Sequence, residues 1–223
     1  MIYCSKNMIY QSPYYIYLIS LLFASICSVY RFKKIDIAAK ILSILVCSAF
    51  INESAAYYLA IKYHNNISLY AIYCLLEFSL LCLYFNNIID VFRKNNIGIF
   101  IGVAGILLGI INILYIQHLH VLNTYFLFFE DLMVIGMSLF AFFRLLIKND
   151  SLYLFQYPHF WFISILAFFW SITFLNWGLY DYINLKLRNT AWQVNFALPV
   201  IGIITYSSLG CVYLWYPVKT KNK

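Results

Sequence analysis

Long apolar runs separated by short polar connections make up almost the whole chain. About 20 apolar residues are needed for one helix to cross the hydrocarbon core of a bilayer, and the runs predict seven such helices. The predicted spans cover residues 14–30, 35–63, 67–89, 97–117, 122–147, 158–183 and 190–216. The sequence therefore predicts an all-α, polytopic membrane protein, a seven-transmembrane helix bundle in which residues 1–223 form a single transmembrane domain.

The composition agrees with a lipid environment. Hydrophobic residues make up 64% of the chain and charged residues only 10%, against roughly a quarter charged in soluble domains. The net charge of +7 does not indicate a nucleic-acid partner, because the basic residues are scattered beside the apolar runs and form no stripe. No CxxC pair or histidine cluster indicates a metal site, and no cofactor is expected.

The basic residues predict the orientation of the chain, because lysines and arginines beside spans are retained in the cytoplasm. Ten of them fall in the first, third and fifth connections and the tail: Arg31, Lys33, Lys34, Arg93, Lys94, Arg144, Lys148, Lys219, Lys221 and Lys223. The other side holds Lys6, Lys62, Lys186 and Arg188, and Lys40 can reach the first connection along its flexible stem. This asymmetry predicts an outside N-terminus and a cytoplasmic C-terminus.

Glycines recur along one face of the fourth predicted span. Gly98, Gly102, Gly105 and Gly109 give small-xxx-small pairs, which allow a neighbouring helix to approach closely. Two uses are open at this stage: tight packing inside the bundle, and homodimerisation through the same face.

Four acidic residues lie well inside predicted spans, where ionisable groups are costly and usually face the bundle interior or a wet cavity. They are Glu53, Glu77, Glu130 and Asp131. At 1.5 Å per residue, Glu53 and Glu77 lie at one level, roughly 15 Å below the outer surface, and Glu130 and Asp131 at about 12 Å. Helical spacing favours Glu130 over Asp131 as the inward-facing member of the adjacent pair. The remaining acids, such as Asp36 and Asp90, fall at span ends, as do the histidines, and are expected to be solvated there.

Neutral polar residues accompany the acids at the same depth. The candidate ligand-binding residues are Asn52, Glu53, Tyr73, Glu77, Glu130, Asp131 and Asn195. The outer part of the sixth span also contributes Ser171, Thr173 and Asn176, and the seventh contributes Gln193. The acids cannot all be ionised without a counter-charge, and no lysine or arginine lies at their depth. Three interpretations stay open: a ligand or ion pocket, hydrogen bonds that join helices, and an enzymatic site. No catalytic motif such as GxSxG, HExxH or a P-loop occurs, so an enzyme is the least favoured.

Three stretches carry a resemblance to a known group of proteins: INESAAYY (51–58), YAIYCLLEF (70–78) and PHFWFISILAFFWSITFL (158–175). Together they resemble the uncharacterised seven-helix integral membrane proteins of Bacteroidetes-type bacteria, whose transmembrane module is also found fused to histidine kinases as a sensor part. The resemblance implies a multi-pass protein of the bacterial inner (plasma) membrane. It also implies a sensor, receptor-like or accessory signalling subunit whose output passes to a separate protein partner. The alternatives are a proton-coupled small-molecule transporter and a structural or assembly subunit of a membrane complex.

Overall fold

The structure is a computed structural model that describes residues 11–148, 151–179 and 191–217. Every regular element in these ranges is helical. The helices are α1 (Gln11–Arg31), α2 (Ile37–Tyr63), α3 (Ile67–Ile88), the short α4 (Asp90–Asn95), α5 (Ile97–Ile111), α6 (Thr124–Lys148), α7 (Pro158–Gly178) and α8 (Ala191–Trp215). A π-helical turn (Asn112–Ile116) extends α5, and a 3-10 helix (Ser151–Gln156) precedes α7.

Seven of these helices are long and apolar enough to cross a membrane, which confirms the predicted number for the described part of the chain. Helix α7 ends at Gly178, before the predicted end of the sixth span at 183, and residues 180–190 are outside the described ranges. Membrane insertion and orientation stay predictions. The end of the bundle with the connections 64–66 and 117–123 is therefore called the predicted outer end, and the end with 32–36, 89–96 and 151–157 the predicted cytoplasmic end.

Six of the long helices form a closed ring. Each contacts the next in the order α1, α2, α3, α6, α7 and α8, and α8 returns to α1. The core of this ring is apolar, with Leu42, Phe78 and Phe162 fully buried. Helix α5 lies outside the ring against α3, and most of its remaining surface is exposed apolar side chain, as expected of a lipid-facing helix.

The glycine face of α5 is the face that packs against α3. All four glycines are buried. A Cβ added at Gly98 would lie 2.6 Å from the Asn86 Cβ and 2.7 Å from the carbonyl oxygen of Cys82, closer than real Cβ atoms approach. The glycines therefore serve packing inside the chain, and a homodimer through the same face would require α5 to leave α3.

Helix ends at both sides of the bundle follow from local sequence. Asp36 is the N-cap of α2, and its Oδ1 accepts a hydrogen bond of 2.8 Å from the backbone N–H of Ala39. At the other end of α2, His64 adopts a left-handed conformation with φ 54°, which stops the helix and lets α3 begin at Ile67. This short connection makes α2 and α3 antiparallel neighbours.

Candidate functional site

A cavity of about 330 Å³ lies inside the helix ring, towards the predicted outer end. It is lined by residues of α1, α2, α3, α6, α7 and α8, and Leu122 from the connection before α6 marks its outer side. The four acids from inside the predicted spans all line it: Glu53, Glu77, Glu130 and Asp131. Helices that are distant in sequence thus bring four carboxyl groups to one space, which is called the carboxylate cavity below.

Glu53 is the carboxyl group with the best hydrogen-bond partners. Its Oε2 accepts one hydrogen bond from the Tyr70 hydroxyl of α3 at 2.8 Å and another from the Tyr14 hydroxyl of α1 at 3.2 Å. Tyr70 lies seven residues before Glu77, so both occupy the same side of α3 and face the cavity. The side chain of Glu53 therefore joins three neighbouring helices of the ring.

Glu130 and Asp131, by contrast, have carboxyl oxygens without partners. Glu130 is only 2% exposed, and neither of its carboxyl oxygens has a hydrogen-bond partner within the described part of the chain. Asp131 is 3% exposed; its Oδ1 accepts a hydrogen bond of 3.0 Å from Thr173 of α7, and its Oδ2 has no partner among the same residues. Both acids of the pair line the cavity, whereas helical spacing alone favoured Glu130.

The cavity wall also carries many aromatic side chains and, among its described residues, no basic side chain. No lysine, arginine or histidine is among the described residues that line it. Seven aromatic residues do: Tyr17, Tyr70, Tyr73, Phe169, Trp170, Trp177 and Tyr206. The faces of such rings carry negative electrostatic potential and attract cations. Carboxyl groups and ring faces together make this wall suitable for a positively charged occupant.

The other predicted site residues have different positions. Tyr73 lines the cavity, as do Thr173 and Asn176. Asn52 is buried but is not among the lining residues, since it is rotated by about 100° from Glu53 around α2. Asn195 belongs to α8, but its side chain is outside the described part of the structure.

Several residues of the cavity were not singled out by the sequence. Tyr14, at the start of the first predicted span, is not among the candidate residues, yet its hydroxyl donates a hydrogen bond to Glu53. Tyr17 and Tyr206 also line the cavity, and residue type alone does not distinguish them among the 21 tyrosines of the chain. One usable signal was present: Tyr17 follows Tyr14 by three residues, so both lie on one side of α1. Gly202 of α8 also contributes, because a Cβ there would lie 2.6 Å from the Tyr17 ring.

A second polar group lies at the predicted cytoplasmic end, where solvated side chains were expected. His159 is 2% exposed, and its Nε2 is 2.7 Å from Oδ2 of Asp36, forming the ion pair that joins α7 to the start of α2. Tyr216 lies 3.3 Å from the same nitrogen, and the Tyr84 hydroxyl is 3.5 Å from Nδ1. With both ring nitrogens occupied, His159 lacks the open position that a general base presents to a substrate. The group therefore holds helix ends together.

The ion pair explains the acidity of Asp36. Burial by itself raises the pKa of this carboxyl group, but the hydrogen bond and positive charge of His159, together with the N–H of Ala39, hold the pKa below its usual range. For the Tyr216 hydroxyl, burial and the nearby Asp36 carboxylate both raise the pKa. The charged form of Asp36 is thus the form that the fold favours.

No group of three or more potential metal ligands with suitable geometry occurs within residues 11–148, 151–179 and 191–217. Comparisons of the chain with protein-family models, with curated proteins and with solved structures gave no match. The function of this seven-helix chain is therefore inferred from its own geometry.

Proposed function

We propose that this chain is a receptor-like membrane protein that binds a small organic cation in the carboxylate cavity. The observation that carries the proposal is the cavity wall itself. Four carboxyl side chains surround one space without a basic residue among the described lining residues, and oxygens of two of them are buried without partners.

The first support is electrostatic. A buried carboxyl group without a partner costs free energy, and a buried carboxylate without a counter-charge costs much more. A bound cation supplies the missing positive charge beside the carboxyl oxygens of Glu130 and Asp131. No lysine or arginine of the chain is part of the described wall, which supports a counter-charge supplied by a bound cation.

The second support is the aromatic wall, which distinguishes an organic cation from a metal ion. Metal ions such as Ca²⁺ and Mg²⁺ require several oxygen ligands in close and regular geometry, whereas ring faces bind alkylated ammonium groups. A volume of about 330 Å³ is at the lower end of the range for small-molecule sites. The ligand is therefore a small amine or quaternary ammonium compound.

The receptor-like role combines this site with the predicted topology. The cavity lies towards the predicted outer end, so a ligand would enter from outside a bacterial inner membrane. The resemblance to the transmembrane sensor modules of histidine kinases favours sensing over transport, with the output passing to a separate protein. The alternatives of proton-coupled transport and a structural subunit are separated by the experiment below.

Choline is a suitable probe, because 3,3-dimethylbutan-1-ol replaces its nitrogen by carbon and has the same shape without the charge. Binding of each compound to the purified full chain in nanodiscs is measured by calorimetric titration. The wild-type protein should bind choline and discriminate against the neutral alcohol by at least about tenfold, the ratio expected for loss of one cation–π contact and one charge pair.

Variants identify the site within the same titration. Glu130→Gln and Glu77→Gln should each weaken choline binding, whereas Asp90→Asn, an acid-to-amide change remote from the carboxylate cavity, should leave it unchanged. Equal binding of choline and the neutral alcohol, or equal binding by Glu130→Gln and wild type, would contradict the proposal. Choline flux into vesicles driven by a pH gradient would support a transporter and contradict the receptor role.

A further inference from the structure

A larger cavity, of about 660 Å³, opens at the predicted cytoplasmic end and shares no lining residue with the carboxylate cavity. Its wall comes from the start of α2, the end of α3, the short α4, the last turns of α6 and the start of α7. In a bilayer, span ends lie at the level of the lipid phosphate groups. The cavity therefore faces both the membrane surface and the adjoining water.

Three basic side chains from three different helices converge on this cavity: Lys40 of α2, Arg93 of α4 and Arg144 of α6. Lys40 and Arg144 are half-buried, and Arg93 is exposed. Convergence around one concave space distinguishes them from Lys33, Lys34 and Lys94, which are exposed and do not line the cavity. Retention of positive charge in the cytoplasm explains why basic residues occur at this end, but it does not require three of them to share a cavity.

The acids of the cavity are too few to neutralise these cations. Asp36 is engaged by His159 at 2.7 Å and by the N–H of Ala39 at 2.8 Å. Asp90 also lines the cavity. Three basic side chains thus share the cavity with two carboxyl groups, of which Asp36 is already paired with His159. An excess of positive charge is left facing the space.

We propose that this cavity binds a phosphate-bearing anion between Arg93, Arg144 and Lys40. Each guanidinium presents a planar fork of N–H donors that fits phosphate oxygens, and a lysine adds a compact charge. The ion pair between buried His159 and half-buried Asp36 fixes the wall behind the site and positions the start of α2, where Lys40 is located. The phosphate belongs either to the headgroup of a membrane lipid or to a soluble compound of the cytoplasm.

The two sources are tested separately on the full chain in detergent. One titration uses dihexanoyl phosphatidylglycerol, with the phosphate-free dihexanoylglycerol as its control. The other uses inorganic phosphate, with sodium chloride at equal ionic strength as its control. Binding is followed by the thermal-unfolding midpoint and by the dissociation constant from thermophoresis. Binding of the lipid alone assigns a headgroup, and binding of inorganic phosphate assigns a soluble anion.

The variants Arg93→Gln and Arg144→Gln should each weaken binding of the active probe by at least about tenfold, since a hydrogen bond to a charged group is worth more than that. Lys94→Gln removes a neighbouring charge outside the cavity and should change binding by less than about twofold. Binding of neither probe by the wild-type chain, or an equal loss in Lys94→Gln and Arg93→Gln, overturns the proposal. The wild-type measurements decide the question even where a variant fails to fold, and neither result bears on the carboxylate cavity.

Discussion

Replacing Glu130 by methionine should stabilise the protein. The substitution keeps the length of the side chain and removes two carboxyl oxygens that are buried without a hydrogen-bond partner in the described part of the structure. Leaving a buried polar group unsatisfied costs about 1–3 kcal/mol, and an apolar group of the same shape avoids that cost. The free energy of unfolding should therefore rise by about 1–3 kcal/mol in the absence of ligand.

The same substitution at Glu53 should have the opposite effect, which makes it a matched comparison. Oε2 of Glu53 accepts hydrogen bonds from the hydroxyls of Tyr14 and Tyr70. Glu53→Met leaves both hydroxyls without this acceptor, so the free energy of unfolding should fall by about 1–3 kcal/mol. The two changes are equal in chemistry and volume and differ in the partners that the carboxyl group has.

Reversible unfolding of the full chain by sodium dodecyl sulfate in mixed micelles, followed by tryptophan fluorescence, measures both variants. A Glu130→Met variant that is destabilised as much as Glu53→Met would refute the reasoning, because Glu130 would then have a structural partner. The carboxylate cavity would in that case hold helices together, as a structural subunit requires. A stabilised Glu130→Met variant that no longer binds choline shows instead that the unpaired carboxyl group is kept at the expense of stability.

Two further predictions concern other parts of the fold. Gly98→Ala should destabilise the protein by about 1–3 kcal/mol, since the added Cβ meets the backbone of α3. Gly136→Ala is its control: an added Cβ there meets no neighbouring atom within 4 Å, so the same unfolding assay should show a neutral or slightly stabilising effect. Asp36→Asn keeps the helix cap but loses the ion pair to His159. Because folding lowers the pKa of Asp36, its carboxylate stabilises the fold above about pH 4 and loses this effect as the pH falls further. The stability difference between wild type and Asp36→Asn should therefore be present at neutral pH and shrink in acid; a difference independent of pH would contradict the assigned ion pair.

The number of helices was predictable because each span is a local property of the sequence. A run of apolar residues long enough to cross a bilayer indicates a spanning helix, regardless of which other helices it packs against. The shared level of Glu53 and Glu77 was also predictable, since a short connection makes their two helices antiparallel and the rise per residue fixes the depth. Both glutamates line the carboxylate cavity.

The order of helices around the ring was not predictable in this way. Contact of α1 with α8 and of α3 with α6 depends on packing between segments far apart in sequence. The ion pair of Asp36 and His159 joins residues 123 positions apart, so each residue alone indicates only a polar span end. For the same reason the glycine face of α5 left two uses open, until its contact with α3 assigned it to packing inside the chain.

The width of the face that each helix turns towards the cavity decides which of two adjacent polar residues belongs to the site. Helix α2 contributes Ala49 and Glu53, about 40° apart around its axis, and Asn52 falls outside this narrow arc. Helix α6 contributes Glu130, Leu127 and Asp131, which span about 100°, so both of its acids face the cavity. Periodicity gives the angle between two side chains but not the arc that neighbouring helices leave open. That arc is set by the ring, in which α6 lies between α3 and α7. The second carboxyl group of α6 therefore joins the site through tertiary packing, and the charge of the cavity follows from it.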